Sequence, residues 1–265
     1  ITIDKGNSDN TLLVSGGGLD SQQEISNQIP IVITGTATYN GGVTINGGES
    51  NITLNNVSIT GGNGTFRLFN DSVVNLQVEG ENSLKANGSS IDLDDTGLYV
   101  SSSSKLVIDG TGVLNSEGNG AGIGATNSKA GAIIINNGTI NATSTRNGAG
   151  IGGSDLVLVE INGGNITAIG SKGSDYGIGQ LFGGSAGIGG EEGQSVTGTI
   201  RINGGTVYAQ GGGLAAGIGG GGGEYQDCAS PLPTAPNIFI SDNANVTAIN
   251  GGGGAEDIGN GASGC

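Results

Sequence analysis

Ala121-Gly122-Ile123-Gly124 returns as Ala149-Gly150-Ile151-Gly152, as Ala186-Gly187-Ile188-Gly189 and as Ala216-Gly217-Ile218-Gly219. Between these anchors runs a second phrase, Ile135-Asn136-Asn137-Gly138-Thr139-Ile140-Asn141-Ala142, which recurs as Ile161-Asn162-Gly163-Gly164-Asn165-Ile166-Thr167-Ala168 and as Ile202-Asn203-Gly204-Gly205-Thr206-Val207-Tyr208-Ala209. Ile123 and Ile151 stand 28 residues apart and Ile188 and Ile218 stand 30 apart, while the intervals 151 to 188 and 218 to 258 are longer and read as repeats with an inserted loop. Each unit consists of short alternating apolar runs broken by glycine and Asn-Gly, a strand-and-turn pattern with no room for a helix. Such a unit cannot bury its apolar side alone. Copies stacked at about 4.8 Å per layer would set each isoleucine on the next and pair the backbone between layers. The expected fold is therefore all-β, a right-handed parallel β-helix (β-solenoid) forming a single elongated domain with capped ends.

Working outward, Val43-Thr44-Ile45, Ile52-Thr53-Leu54, Val57-Ser58-Ile59, Phe66-Arg67-Leu68 and Val73 to Val78 are expected as separate strands of the early coils. Residues 1–35 are expected to form opening strands and an N-terminal cap, 36–220 the β-helix coils, and 221–265 a C-terminal coil with a disulfide-closed loop. Asp257-Ile258-Gly259-Asn260 is a degenerate anchor. Asparagine and glycine at the corners accept positive φ cheaply, and stacked asparagines can hydrogen-bond in ladders along the axis. Ile1-Thr2-Ile3 is a candidate strand for pairing with the end of a neighbouring copy.

Glycine makes up 58 of 265 residues without a Gly-X-Y register, which excludes collagen, and the apolar residues recur in register, which argues against disorder. The net charge is −15, with eight Lys and Arg against 23 Asp and Glu. That balance argues against nucleic acid as a partner, and no apolar run is long enough for membrane insertion as a helix. Opening at Ile1 and not at Met, the chain reads as processed and exported, extracellular or at a cell surface. In that setting Cys228 and Cys265 are expected to form a disulfide, worth about 4 kcal/mol by loop entropy. Two thiols without histidine do not make a zinc site.

Ile31-Val32-Ile33-Thr34-Gly35-Thr36, the run Asn51 to Ile59, and the Ala-Gly-Ile-Gly-Gly anchors with their Ile-Asn-Gly-Gly-Thr-Val strands resemble the glycine-rich β-helix modules of secreted and cell-surface bacterial proteins, with a pectin-lyase-like architecture. The resemblance spans roughly residues 29–220, and Ala125 departs from it by replacing the anchor's last glycine. It implies a surface scaffold or adhesin.

The chemistry of the related lyases and hydrolases needs clustered carboxylates with histidine or basic partners. Here histidine is absent, Arg67, Arg146 and Arg201 stand apart in sequence, and no catalytic or cofactor-binding set emerges. Asp92, Asp94 and Asp95, and also Glu191-Glu192, suit either calcium or a solvated acidic corner, and the corner is the preferred reading. Asn-X-Ser/Thr acceptors lie at Asn51, Asn56, Asn63, Asn70, Asn87, Asn137, Asn141, Asn165 and Asn245, either glycosylated or serving as turn residues. The few aromatics give a sugar platform weak support. The expectation is a non-enzymatic extracellular structural protein, a surface module or a fibre subunit associating head to tail. The alternative is an adhesin-like carbohydrate-binding module, and a polysaccharide lyase or hydrolase ranks behind it.

Overall fold

The computed structural model describes residues 1–6, 11–15, 23–38, 42–62, 64–88, 95–175, 181–223 and 233–263, and every statement of absence below refers to these. They form strands and turns with no helix. An 11-stranded sheet and a 14-stranded sheet hold nearly all the strands, and the pairing in both is parallel except at one edge of the smaller sheet. Cys228 and Cys265 lie outside the described residues, as do Asp92, Asp94 and Asn63.

The chain visits three ladders in turn. From Leu98–Val100 in the smaller sheet it passes to Lys105–Gly110 and Val113–Gly118 in the larger one, then back to Ile123–Gly124 beside its starting strand. The cycle repeats through Lys129–Ile135, Thr139–Ser144 and Ile151–Gly153, and again to Ile258–Gly259. One column reads Val43, Phe66, Leu98, Ile123, Ile151, Ile188, Ile218 and Ile258, each in register with the next and all buried except Ile258 at the last layer. A single cluster of buried apolar side chains extends from Ile3 to Ile218. Truncating one such isoleucine to alanine costs about 2 to 5 kcal/mol.

The anchor glycines follow from this stacking. Gly124, Gly152, Gly189 and Gly219 adopt φ of 137°, 143°, 138° and 143°. A Cβ on any of them would run into the carbonyl oxygen of the glycine one layer on. The first glycine of each anchor faces the opposite ladder, so that a Cβ at Gly150 would meet the backbone of Ala168 and Ile169. The backbone approaches too closely for a side chain at either position.

Two expectations need correction. Ile52–Leu54 and Val57–Ile59 are not separate strands but one, Glu49–Gly61, whose first half pairs with Val73–Glu79 and whose second half pairs with Glu81–Ala86. Asn56, with φ of 54°, turns the corner without ending the strand. The other concerns Ile1-Thr2-Ile3: Thr2–Lys5 pairs in parallel with Val43–Asn46 and antiparallel with Thr11–Ser15, so both its edges are occupied within the chain. The corners follow expectation, with positive φ at Asn56, Asn70 and Asn127 as well as at many glycines. At Asn46-Gly47 and Asn137-Gly138 the glycine takes the positive φ. Other asparagines form ladders, as when Asn162 Nδ2 donates to Asn136 Oδ1 at 3.0 Å and Asn203 Nδ2 donates to Asn162 Oδ1 at 2.8 Å.

The long interval between Ile151 and Ile188 carries a small antiparallel pair, Ser174–Asp175 with Leu181–Phe182. At the last layer Ile240 is 38% exposed while its register partner Ile202 is fully buried, because no further strand covers it among the described residues.

Candidate functional site

Alternation along each strand puts every second side chain on the outside of the stack. On the ladder containing Val73–Glu79 these outward positions form two columns. The first runs Asn51, Asn75, Val107, Ile134, Glu160, Arg201, Phe239, and the second opens with Thr53, Gln77 and Asp109. Asn136, Asn162 and Asn203 follow as the hydrogen-bonded amide ladder.

Where the two columns begin, an open groove of about 410 Å³ crosses them, presenting the side chains of Asn51, Thr53, Asn75, Gln77, Asp109 and Asn136 above a strand floor of Ile52 and Leu76. The groove is held in shape by its own polar atoms. Asn75 Nδ2 donates to Asn51 Oδ1 at 3.1 Å, and Asn51 Nδ2 donates to the carbonyl of Asn27 at 3.0 Å. Gln77 and Asp109 are exposed and point outward from neighbouring strands. Amides and a carboxylate on a rigid sheet offer donors and acceptors repeated at about 4.8 Å, a spacing comparable with the length of one hexose unit. At the far end of the first column the Arg201 guanidinium lies 4.8 Å from the centroid of Phe239, whose ring is 52% exposed. Of the other described aromatics, Phe66 is buried, Phe69 and Tyr99 pack on each other with centroids 5.1 Å apart, and the Tyr208 hydroxyl donates to Gln210.

Of the acidic residues singled out from sequence, Asp92 and Asp94 lie outside the described residues. Asp95 is buried, 1% exposed, and so is not part of a solvated corner. Glu191 is also buried, and both its carboxylate oxygens accept the backbone N–H of Asn127. Burial pushes its pKa up to about 8 against the opposing effect of that N–H. No group of three or more His, Cys, Asp or Glu placed to hold a metal occurs among the described residues.

The acceptor asparagines fall into two sets. Asn51, Asn70 and Asn141 spend their Nδ2 on neighbours, donating to Asn27, Asn46 and Asn115, and Asn56 donates to Asn55. Asn87, Asn137, Asn165 and Asn245 are exposed and make no side-chain hydrogen bond among the described residues.

A family model described as carbohydrate-binding domain-containing protein matches residues 19–262, which include the groove and both outward columns. The chain belongs to this carbohydrate-binding domain family. No curated protein and no solved structure matches it. In this member of the carbohydrate-binding domain family the groove is not legible from sequence, because its six polar residues come from four separate strands and turns. Column register, which only pairing reveals, brings them together.

Proposed function

We propose that the protein is a non-catalytic carbohydrate-binding module that acts outside the cell or at its surface and holds neutral glycan chains along the groove of Asn51, Asn75, Gln77 and Asp109. The observation that carries this reading is the row of outward amides and carboxylate across neighbouring parallel strands, within the span of the family match. Sugar hydroxyls both donate and accept. Amide and carboxylate groups fixed on a sheet meet them with little loss of conformational entropy on binding. Titration of neutral oligosaccharides against the protein and against a Gln77→Ala/Asp109→Ala variant is the test. Binding weakened by roughly tenfold or more in the variant is expected. Unaltered affinity, or no neutral glycan bound by the parent protein, would sink the reading.

In the same reading the three ladders wind as one right-handed β-solenoid. Parallel crossovers are right-handed in nearly all sheets, and the cycle of pairing supports a coil. Solution scattering from a long thin particle is expected, and a compact sphere would contradict it.

End-to-end association is the second reading. It is favoured by exposed Phe239, Ile240, Ile249 and Ile258 on the last strands, and by exposed Val32 in the strand Ile31–Thr38 and Ile29 just before it, at the other edge of the larger sheet. Sedimentation showing a concentration-dependent shift to linear oligomers is expected. A monomer at every concentration would dismiss it.

A further inference from the structure

A second pocket lies away from the groove, at the corner where the larger sheet's other ladder turns toward the anchors. The turn after Thr139–Ser144 carries Arg146, and the turn one layer on, after Asn165–Ile169, carries Lys172. Together they flank an open pocket of about 540 Å³, lined also by Thr143, Thr145, Asn147 and Ile169. Both cations are exposed, and among the described residues neither makes an ion pair or a side-chain hydrogen bond. Carboxylates outnumber Lys and Arg by 23 to eight in this chain. Elsewhere Lys85 pairs with Glu117 at 2.8 Å and Lys129 with Asp155 at 2.9 Å.

The frame of the pocket is built. Thr145 N–H donates to the Gly118 carbonyl at 2.9 Å, its hydroxyl donates to Asn119 Oδ1 at 2.9 Å, and Asn147 N–H donates to the Asn119 carbonyl at 2.9 Å. Gly148 N–H is held by the Ser144 hydroxyl at 2.9 Å, and Ser171 N–H by the Gly148 carbonyl at 3.1 Å, which locks the two turns together. Along the outward column that leads to the pocket, Lys85, Glu117, Thr143, Ile169 and Gln210 stand in register, and the one carboxylate among them is neutralised by Lys85.

Two positive charges therefore stand beside an open pocket in a protein of net charge −15. At physiological ionic strength the Debye length is about 8 Å, so a small ligand in the pocket feels Arg146 and Lys172 while more distant carboxylates are screened. A polyanion reaching well beyond that distance meets the acidic surface and is repelled. Arginine offers a planar fork for an oxyanion, lysine a mobile point charge, and the threonine side chains and Ile169 a mixed wall for a ring.

We propose that this pocket binds a saccharide carrying a single acidic substituent, a carboxylate or a sulfate ester, with Arg146 and Lys172 as its counter-charges. The saccharide part rests on the carbohydrate-binding reading above, whereas the site is separate from the groove. The test is calorimetry with four probes: a neutral oligosaccharide, the same oligosaccharide ending in a uronic acid, its monosulfated form, and inorganic sulfate. The proteins are the parent chain, an Arg146→Gln/Lys172→Gln variant and the groove variant Gln77→Ala. The acidic saccharides are expected to bind roughly tenfold tighter than the neutral one, with that preference lost in the double variant, kept in Gln77→Ala and reduced by added salt. The uronic acid and sulfate arms show which oxyanion is preferred. Circular dichroism of the double variant, expected to match the parent because both side chains are exposed, excludes misfolding. A preference that survives the double substitution, or inorganic sulfate binding as tightly as the acidic saccharide, would overturn the proposal. If the neutral glycan binds nowhere while the acidic one still binds through the two cations, this pocket stands and the groove reading falls.

Discussion

Glu191 and Asn127, 64 residues apart in sequence, are joined by the Asn127 N–H, which lies 3.2 and 3.0 Å from the two carboxylate oxygens of Glu191. The contact ties two corners of different layers, and Asn127 adopts a positive φ of 53° there.

That relationship makes stability depend on pH. The Glu191 pKa rises from 4.5 to about 8 because burial disfavours the charge. The folded state therefore binds this proton more tightly than the unfolded chain. Its contribution is full below pH 4.5 and is lost as pH rises through about 8. Urea unfolding between pH 5 and pH 9 should show the parent protein weakening by at most about 1.4 kcal/mol per pH unit from this group. Glu191→Gln should flatten that slope, and parallel curves for the two proteins would refute the assignment.

Asp155 behaves in the opposite sense. Burial alone would raise its pKa, but hydrogen bonds from the Thr197 N–H, the Lys129 ammonium, the Leu156 N–H and the Thr197 hydroxyl outweigh it and lower the pKa to about 2. The stability it provides is present above the unfolded value of 3.8 and is lost as pH falls through about 2. Asp155→Asn should cost about 1 kcal/mol at pH 7, since the pair is partly solvated. The deficit should shrink as the parent protein is taken toward pH 2, and a pH-independent deficit would point to packing alone.

Gly152→Ala should be among the most damaging single changes. It combines a φ of 143° with a Cβ aimed at the Gly189 carbonyl. A loss of at least about 3 kcal/mol is expected in thermal or urea unfolding. Gly62→Ala, where a Cβ meets open space, should be neutral or stabilising by up to about 1 kcal/mol. Equal effects at the two sites would show that the stacked carbonyl does not govern the anchor.

Expression in a glycosylating eukaryotic host should separate the acceptor asparagines. Asn87, Asn137, Asn165 and Asn245 are expected to carry glycan, while Asn51, Asn70 and Asn141 stay bare because their amide nitrogens already donate within the sheet. Peptide mass mapping reads this directly, and occupancy at Asn141 above that at Asn137 would contradict it.

The repeat of Ala-Gly-Ile-Gly and of Ile-Asn-Gly-Gly was enough to establish an all-β chain with parallel pairing and with Ile123, Ile151, Ile188, Ile218 and Ile258 in one column. Stacked layers demand the same residue at the same height, so the requirement is written into the sequence period. The scarcity of cations and the absence of histidine likewise bounded the chemistry. Tertiary structure alone decided which polar residues share a surface. Asn51, Asn75 and Asp109 meet because their strands lie in register, and Arg146 and Lys172 because two turns stack. Burial separated Asp95 and Glu191 from the solvated corners that their sequence neighbours suggested. Periodicity encodes the inward face, where one apolar residue replaces another in the same contact. The outward face carries no such constraint, and its neighbours are set by layer-to-layer pairing that a linear pattern does not contain.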